Sequence, residues 1–250
     1  MTLYLRNPHS ILAVLETRPQ DVLEIQLPDR PAATWNEVAS AADQVGTKLR
    51  DGSRDRPPRG RRSRRPEGSG RREGPGALVL ERVGLSLDDL LPLPTEDRSP
   101  EDLYLALDTV QDPQNVGSIF RTAAFFGVAG LILTRDRSAP LSAVAYDVAS
   151  GGLEHVPFSL QTNLSRTLDQ VRDRGMWILG TSENADMGVE DLKPDRPWLI
   201  VLGNEESGLR RLTLEKCDVV CRVPCPGSLP SLNVSVAAGI FIQKLTSDGS

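Results

Sequence analysis

The chain has 250 residues, of which 39% are hydrophobic and 25% charged, so it can bury a core in one large or two smaller domains and is not a disordered chain. No apolar run approaches the roughly 18–20 residues that cross a membrane, and the first residues lack a secretory signal, so we expect a cytoplasmic protein without a membrane partner. Three cysteines and a net charge of −5 exclude a disulfide scaffold and an overall basic protein.

The first 90 residues are predicted to form a small α/β domain. Residues 3–15 carry apolar side chains at helical spacing, which predicts a helix. Thr34 can N-cap a second helix that runs to about residue 48, and Glu37 completes a capping-box pattern. Strands are predicted at residues 22–27 and 77–83.

Residues 51–76 interrupt this domain with a segment rich in Arg, Gly and Pro, which predicts a mobile loop. Between residues 50 and 73 ten arginines stand against four acidic residues, a local charge of about +6. This charge favours phosphate binding, although a solvated segment without a ligand remains the alternative. The candidate RNA-binding residues are Arg61, Arg62, Arg64 and Arg65. Residues 91–101, which contain several prolines, are predicted to be an interdomain linker.

From residue 102 to residue 250 predicted strands and helices alternate. Strands are predicted at residues 103–110, 131–134, 156–160, 177–180, 198–202 and 219–223. Helices are predicted at residues 116–126, 142–150, 164–174 and 232–245. This alternation predicts an α/β domain with a mostly parallel sheet.

The first motif is LDTVQDPQNVGSIFRTA at residues 107–123, a strand followed by a Pro-containing turn and a helix. Val116 and its apolar neighbours form one stripe of the helix, and Arg121 points about 140° away from Val116 at 100° per residue. Taken alone, Arg121 is a solvated side chain and Asn115 an ordinary helix N-cap.

The second motif is LIVLGNEESGL at residues 199–209, a buried strand that runs into an acidic turn flanked by glycines. At the carboxyl edge of an α/β sheet such a turn is a ligand-binding position, and Gly203 permits close backbone approach. The turn lacks the Lys and Ser/Thr of a phosphate-binding loop, and the carboxylates of Glu205 and Glu206 would repel phosphate. An ordinary polar loop is the alternative.

The third motif is VPCPGSLPSLNVSVAAG at residues 223–239, a Pro/Gly loop that enters a helix apolar nearly all round. This apolarity predicts burial on every side of the helix. Ser231 is a plausible N-cap of the helix. Asn233 is expected to be a buried amide, which requires hydrogen-bond partners.

In this order and spacing the three motifs resemble the signature of the SpoU family of SPOUT-class methyltransferases. The pattern N-x5-R, then G-N-E-x-x-G-L, then P-x-P-G-S-x-x-S-L-N-V-S covers about residues 103–245. Residues 3–28 and 76–83 more weakly resemble the L30e-like RNA-binding domain of RlmB-type rRNA (guanosine-2′-O)-methyltransferases. Those relatives carry a His-Gln-Gly turn where this chain has Gly-Pro-Gly at residues 74–76, so its RNA contacts are expected to differ.

The resemblance implies an α/β fold with a deep trefoil knot at the carboxyl end, a homodimer with an active site across its interface, and S-adenosyl-L-methionine as cofactor. By position, the cofactor-binding residues would be Thr181, Gly203, Val223 and Leu232. Arg121 would be the residue that stabilises a developing alkoxide, because an arginine is a poor general base. The residues that position Arg121 and the ribose would be Asn115, Glu205, Ser231 and Asn233.

No metal is expected, because His9 and His155 are isolated in the sequence. Cys217, Cys221 and Cys225 lack the spacing of a zinc site and are interpreted as small apolar residues at the edge of one strand.

The predicted function is 2′-O-ribose methylation of RNA, with a guanosine of large-subunit rRNA as the favoured target. The alternatives are a tRNA ribose methyltransferase and a non-catalytic RNA-binding module on the same fold. A Rossmann-type methyltransferase is disfavoured, since no Gly-rich turn follows an early strand of the α/β domain.

Overall fold

A computed structural model describes residues 1–51, 74–92, 99, 102–229 and 231–247. Arg61, Arg62, Arg64 and Arg65 lie outside these residues. The chain divides into two compact units, Met1–Arg82 and Val83–Ser250. Residues 83–90, which the sequence analysis placed in the amino-terminal domain, therefore belong to the second unit. Within the described residues, no helix combines the length and apolarity needed to span a membrane.

The first unit packs two helices against a four-stranded sheet. Its strands are β1 (Thr2–Leu5), β2 (Val22–Leu27), β3 (Leu49–Asp51) and β4 (Gly76–Leu80), and its helices are α1 (Pro8–Thr17) and α2 (Ala33–Gln44). The strand order is β1-β4-β2-β3, with β4 antiparallel to β1 and β2, and β2 parallel to β3. The core contains Ile11, Val14, Ile25, Val38 and Val79, all buried.

Two predictions for the first unit were wrong. Residues 3–5 belong to β1 and not to a helix, because pairing with β4, which is remote in sequence, fixes them as a strand. Helix α1 begins only at Pro8, where the missing N–H of proline costs nothing, and Asn7 caps it. Thr34 is not an N-cap, because α2 begins at Ala33 with Ala32 in the capping position, and Thr34 already lies in the first turn.

The second unit is built on a seven-stranded sheet. Its strands are β5 (Leu103–Leu107), β6 (Gly130–Thr134), β7 (Phe158–Gln161), β8 (Trp177–Thr181), β9 (Met187–Gly188), β10 (Trp198–Leu202) and β11 (Val219–Arg222). The order is β7-β6-β5-β10-β8-β11-β9 and every pair is parallel. All residues of β5, β6 and β10 are buried, as expected for central strands covered on both faces. The predicted parallel α/β sheet is therefore confirmed.

The helices of the second unit form two groups. The helices are α3 (Leu87–Leu90), α4 (Pro113–Phe125), α5 (Ala143–Ala149), α6 (Gly152–His155), α7 (Leu164–Asp173), α8 (Arg211–Leu214) and α9 (Val234–Ser247). Helix α4 packs against α5, α6 and α9. Leu168 and Val171 of α7 share a second cluster with Leu90 and with Tyr104 and Ala106 of β5. Leu91, the first residue of the predicted linker, belongs to the same cluster and is fully buried.

The last helix departs from its prediction. Val236 on α9 is 51% exposed, and Leu232 just before the helix is 52% exposed. Apolar composition predicted burial on every side, but among the described residues α9 packs mainly against α4, β5, β10 and the turn Val189–Asp191. Val236 is thus open to solvent, on the same side of α9 as the exposed Gln243.

Candidate functional site

The three motifs meet at the carboxyl edge of the large sheet. From β5 the chain moves outward to β6 and β7, and then crosses back to add β8 and β10 on the other side of β5. The loops that follow β5 and β10 therefore flank the point where the strand order reverses. In open α/β sheets ligands bind in the crevice at such a point.

A chain of hydrogen bonds between side chains joins the three motif loops. Asn233 Nδ2 donates to Asn115 Oδ1 at 2.9 Å, and Asn115 Nδ2 donates to Glu205 Oε1 at 2.9 Å. Asn233 Oδ1 in turn accepts from the backbone N–H of Ser235 at 2.9 Å. Residues separated by 90 and 118 positions are thereby brought together, so three of the predicted site residues share one cluster. We call Asn115, Glu205 and Asn233 the motif cluster.

Asn115 is not the helix N-cap that the simpler interpretation assigned to it. Asp112 caps α4, its carboxylate accepting from the backbone N–H of Gln114 at 2.8 Å. Asn115 lies in the first turn of α4 and is buried. Both ends of its amide are satisfied by the motif cluster, as a buried amide requires.

The carboxylate of Glu205 is held by donors on two sides. Besides Asn115, the backbone N–H groups of Gln111 and Asp112 donate to it, each at 3.3 Å. Partial burial alone would raise the pKa of Glu205, but the hydrogen bonds outweigh burial, so its pKa lies below the ordinary value of 4.5. Glu205 is therefore an anion near neutral pH.

The turn that carries Glu205 is closed by its own backbone. The N–H groups of Asn204 and Gly208 each donate to the other residue's carbonyl oxygen at 3.0 Å, and Gly208 has a φ of +67°. A Cβ on Gly203 would clash with the backbone carbon of Gly208. Gly203 thus permits close approach as predicted, but the approaching backbone is the chain's own turn.

Asn204 is a site residue that the sequence analysis missed. Its Oδ1 accepts from the backbone N–H groups of Glu206 and Ser207 at 3.0 and 3.1 Å, and its Nδ2 donates to the carbonyl of Thr109 at 2.9 Å. Asn204 therefore shapes the turn and ties it to the loop after β5. An Asn that hydrogen-bonds the backbone two residues on is a common turn signal, which could have identified it.

Asp108 was missed as well. It follows β5, is fully buried, and accepts from Thr213 Oγ1 at 2.7 Å and from the backbone N–H of Arg210 at 3.3 Å. The guanidinium of Arg210 forms an ion pair with it at 2.6 Å. Asp108 thus anchors α8, which follows the Glu205 turn. A carboxylate directly after an apolar strand was the available signal.

Thr109 ends β5 earlier than predicted. Its φ of +61° is unusual for a β-branched residue and turns the chain sharply after Asp108. The conformation is held by the N–H of Thr109, which donates to Thr134 Oγ1 at 3.1 Å, and by Asn204 on its carbonyl. Tertiary contacts therefore override the local preference of this residue.

Three of the four predicted cofactor residues lie at the ends of neighbouring strands. Thr181 ends β8, Gly203 follows β10 and Val223 follows β11, and β8 lies between the other two strands. Thr181 Oγ1 donates to the carbonyl of Val201 at 3.1 Å. Leu232 lies two residues before α9 with half of its side chain exposed. The edge offers backbone groups and uncovered apolar side chains, which suit an adenosine moiety.

Arg121 and Ser231 do not join the motif cluster within this chain. Arg121 is exposed on α4, and its Nη1 donates to Ser150 Oγ at 3.5 Å. Ser231 is exposed and precedes α9 by three residues, so it is not the predicted N-cap. The capping hydrogen bond is made by Asn233, whose Oδ1 accepts from Ser235.

The three cysteines are free and differ in environment. Only Cys221 lies in β11, so the interpretation of all three as one strand edge was wrong. Burial raises the pKa of Cys217 to about 12 and that of Cys221 to about 11, with nearby carboxylates adding to both shifts. Cys225 is exposed in the loop before α9. Within the residues that the structure describes, no group of three or more His, Cys, Asp or Glu side chains could hold a metal ion.

Comparison with known proteins gives concordant results. Residues 102–243 match the model of the SpoU rRNA methylase family. The chain is 38% identical over 241 residues to the 23S rRNA (guanosine-2′-O-)-methyltransferase RlmB of Nitrosomonas europaea, covering 96% of this chain and 89% of that protein. The RlmB of Yersinia pestis is also 38% identical, with 95% and 94% covered. The SpoU methyltransferase AviRb of Streptomyces viridochromogenes, solved with AdoMet, superposes with a TM-score of 0.76 at 23% identity, covering 99% of this chain and 90% of that chain. The chain belongs to the SpoU rRNA methylase family.

Proposed function

We propose that this protein is an RNA 2′-O-ribose methyltransferase that uses S-adenosyl-L-methionine and acts on a guanosine of 23S rRNA in the cytoplasm. The observation that carries the proposal is the motif cluster, which joins three loops at the ligand-binding edge of the sheet. The RlmB proteins, whose names state this reaction, match nearly the whole chain and not the second unit alone. This full-length match favours rRNA over tRNA as the substrate.

The cofactor would be held by Thr181, Gly203, Val223 and Leu232. S-adenosyl-L-methionine supplies a methyl group made electrophilic by a sulfonium centre. The strand ends offer main-chain donors and acceptors for the adenine, and the half-exposed Leu232 offers an apolar wall. Gly203 leaves this edge of the sheet without a side chain. A Cβ at this position would displace the Gly208 backbone.

Arg121 would stabilise negative charge as it develops on the ribose 2′-oxygen. An arginine has a pKa above about 12 and cannot serve as a general base at neutral pH. A guanidinium aimed at the developing alkoxide lowers the barrier by electrostatics. Asn115, Glu205, Ser231 and Asn233 would position the ribose and the cofactor, and a cluster with its hydrogen bonds already formed needs little reorganisation.

A homodimer would complete the site. Arg121 lies about 9 Å along α4 and about 120° around it from Asn115, given the geometry of an α-helix. The guanidinium and the motif cluster of one chain thus face different directions, so we propose that a second copy supplies Arg121. The exposed Val236 and Leu232 would be covered by that copy.

Two features of the architecture complete the proposal. The carboxyl-terminal segment would form a trefoil knot, a proposal supported by the return of Asn233 from β11 to Asn115 beside β5. The first unit would be an L30e-like RNA-binding domain, a proposal supported by its mixed sheet with two helices.

The test is to map ribose methylation on total RNA from cells with and without this protein, and to repeat the reaction in vitro with Arg121→Ala. We expect one 2′-O-methylguanosine of 23S rRNA to depend on the protein. Arg121→Ala should abolish transfer while cofactor binding persists, and Arg172→Ala, another helix arginine, should transfer normally. A site lost only from tRNA would show the alternative substrate, and no lost site would indicate a non-catalytic RNA-binding module.

A further inference from the structure

The arginines of the second unit differ in their partners according to their position. Those near the amino edge of the sheet are paired with carboxylates. Arg172 pairs with Asp218 at 3.2 Å and Arg196 with Asp195 at 2.7 Å, and these arginines precede β8 and β10 respectively. The charges at this edge are therefore compensated within the chain.

At the carboxyl edge Arg210 pairs with Asp108, but three other arginines differ from it. Arg135 and Arg137 follow β6, and Arg166 lies just after β7, in the first turn of α7. All three side chains are exposed. Within residues 102–229 and the other described parts of the chain, no hydrogen bond or ion pair engages their guanidinium groups. Arg222 at the end of β11 is exposed and in the same state.

The backbone around these arginines is fixed next to the motif cluster. The N–H of Arg135 donates to the carbonyl of Gln161 at 2.9 Å, which ties the loop after β6 to the end of β7. Gln111 links the same loop to the site, since its Nε2 donates to the carbonyl of Arg137 at 3.5 Å and its N–H to Glu205 at 3.3 Å. Neighbouring strands lie about 4.8 Å apart, so β7 ends about 10 Å from β5.

The helix dipole at Arg166 and the net charge of the three arginines favour an anionic ligand. Arg166 places a positive charge in the first turn of α7, where the helix dipole disfavours cations and favours anions. The one acidic residue between the two loop arginines, Asp136, leaves a local charge of +2 for the set.

We propose that Arg135, Arg137 and Arg166 form an arginine strip that binds backbone phosphates of the RNA strand next to the reacting nucleotide. The inference rests on the proposed function and names the surface that binds the substrate RNA. Phosphate contacts of this kind fix the position of the strand without reading its sequence. The RNA strand would run from the motif cluster across the loops that follow β6 and β7.

The experiment compares two triple variants of the full chain. The first is Arg135→Gln with Arg137→Gln and Arg166→Gln. The matched control, Arg172→Gln with Arg196→Gln and Arg211→Gln, removes the same charge from arginines that have carboxylate partners. Binding of in vitro transcribed 23S rRNA is measured over a range of salt concentrations, together with cofactor binding and methyl transfer at saturating RNA.

The strip variant should bind the RNA about tenfold or more weakly and lose about 2 from the slope of log affinity against log salt, at roughly 0.7 per phosphate. Its cofactor affinity and its transfer at saturating RNA should stay near those of the wild type. Equal weakening in both variants, or an unchanged slope in the strip variant, would overturn the proposal. Failure of the proposed function is distinguishable, because the wild type itself would then transfer no methyl group.

Discussion

Removal of the Asn115 side chain tests the motif cluster directly. Asn115→Ala removes the hydrogen bond to the Glu205 carboxylate, which contributes about 1.5–3 kcal/mol. It also removes the hydrogen bond to the Asn233 amide, which contributes about 0.5–1.5 kcal/mol. Glu205 and Asn233 lie at the surface, where water can replace the lost partner, so the lower ends apply. We expect the free energy of unfolding to fall by about 2 kcal/mol, or Tm by about 4–8 °C.

The assay is urea denaturation followed by tryptophan fluorescence, since Trp177 and Trp198 both lie in the sheet of the second unit. The midpoint should fall without a change in the denaturant slope, because the surface exposed on unfolding is nearly unchanged. Methyl transfer should fall on the order of a hundredfold, the effect of misplacing reacting groups by about 1 Å.

Two further variants make the reasoning refutable. Combining Asn115→Ala with Glu205→Ala should cost less than the sum of the separate changes, because both remove the hydrogen bond from Asn115 Nδ2 to Glu205 Oε1. Strict additivity would show that this bond does not stabilise the protein. As a control, Asn7→Ala removes the cap of α1 in the first unit, costs about 1 kcal/mol and should leave transfer unchanged.

The remaining predictions concern the turn, the carboxylate and the thiols. Gly203→Ala should destabilise the protein by about 1–3 kcal/mol and weaken cofactor binding, because its Cβ would meet the turn backbone, whereas Gly227→Ala, with open space around it, should fold normally in the same denaturation assay. Because the folded-state pKa of Glu205 is depressed, its stabilising contribution is present above the ordinary value near 4.5 and is lost as pH falls through the folded value. The stability difference between wild type and Glu205→Gln should therefore shrink as the pH falls below the ordinary value of 4.5, and a constant difference would contradict the hydrogen-bonding scheme. Burial raises the pKa of Cys217 to about 12, so iodoacetamide near pH 8 should alkylate the exposed Cys225 first, as mass spectrometry would show.

Elements with a strong local pattern could be predicted from the sequence. The central strands of the second unit are continuous apolar runs, and α7 begins at the predicted residue 164 and ends one residue before the predicted 174. Elements that depend on distant partners were missed. Strand β1 exists because it pairs with β4, more than 70 residues away, and β9 has only two residues, paired with β11.

The candidate site shows the same division. Asn115, Glu205 and Asn233 could be singled out because each lies in a motif of unusual composition, and the structure joins them. Asp108 and Asn204 offered weaker signals, a carboxylate directly after an apolar strand and an Asn in a turn, because their importance lies in hydrogen bonds to residues far along the chain. Arg121 could be singled out equally well, but its bond to Ser150 directs it away from the cluster in one chain.

By itself the amino-acid sequence determined that this is a parallel α/β protein with three polar motifs at the ends of its strands, because hydrophobic periodicity and turn composition act locally. Only the tertiary structure decided which motif side chains touch, how the Glu205 carboxylate is stabilised, and which arginines are left without partners. These properties depend on strand order, and strand order arises from packing between segments far apart in the chain.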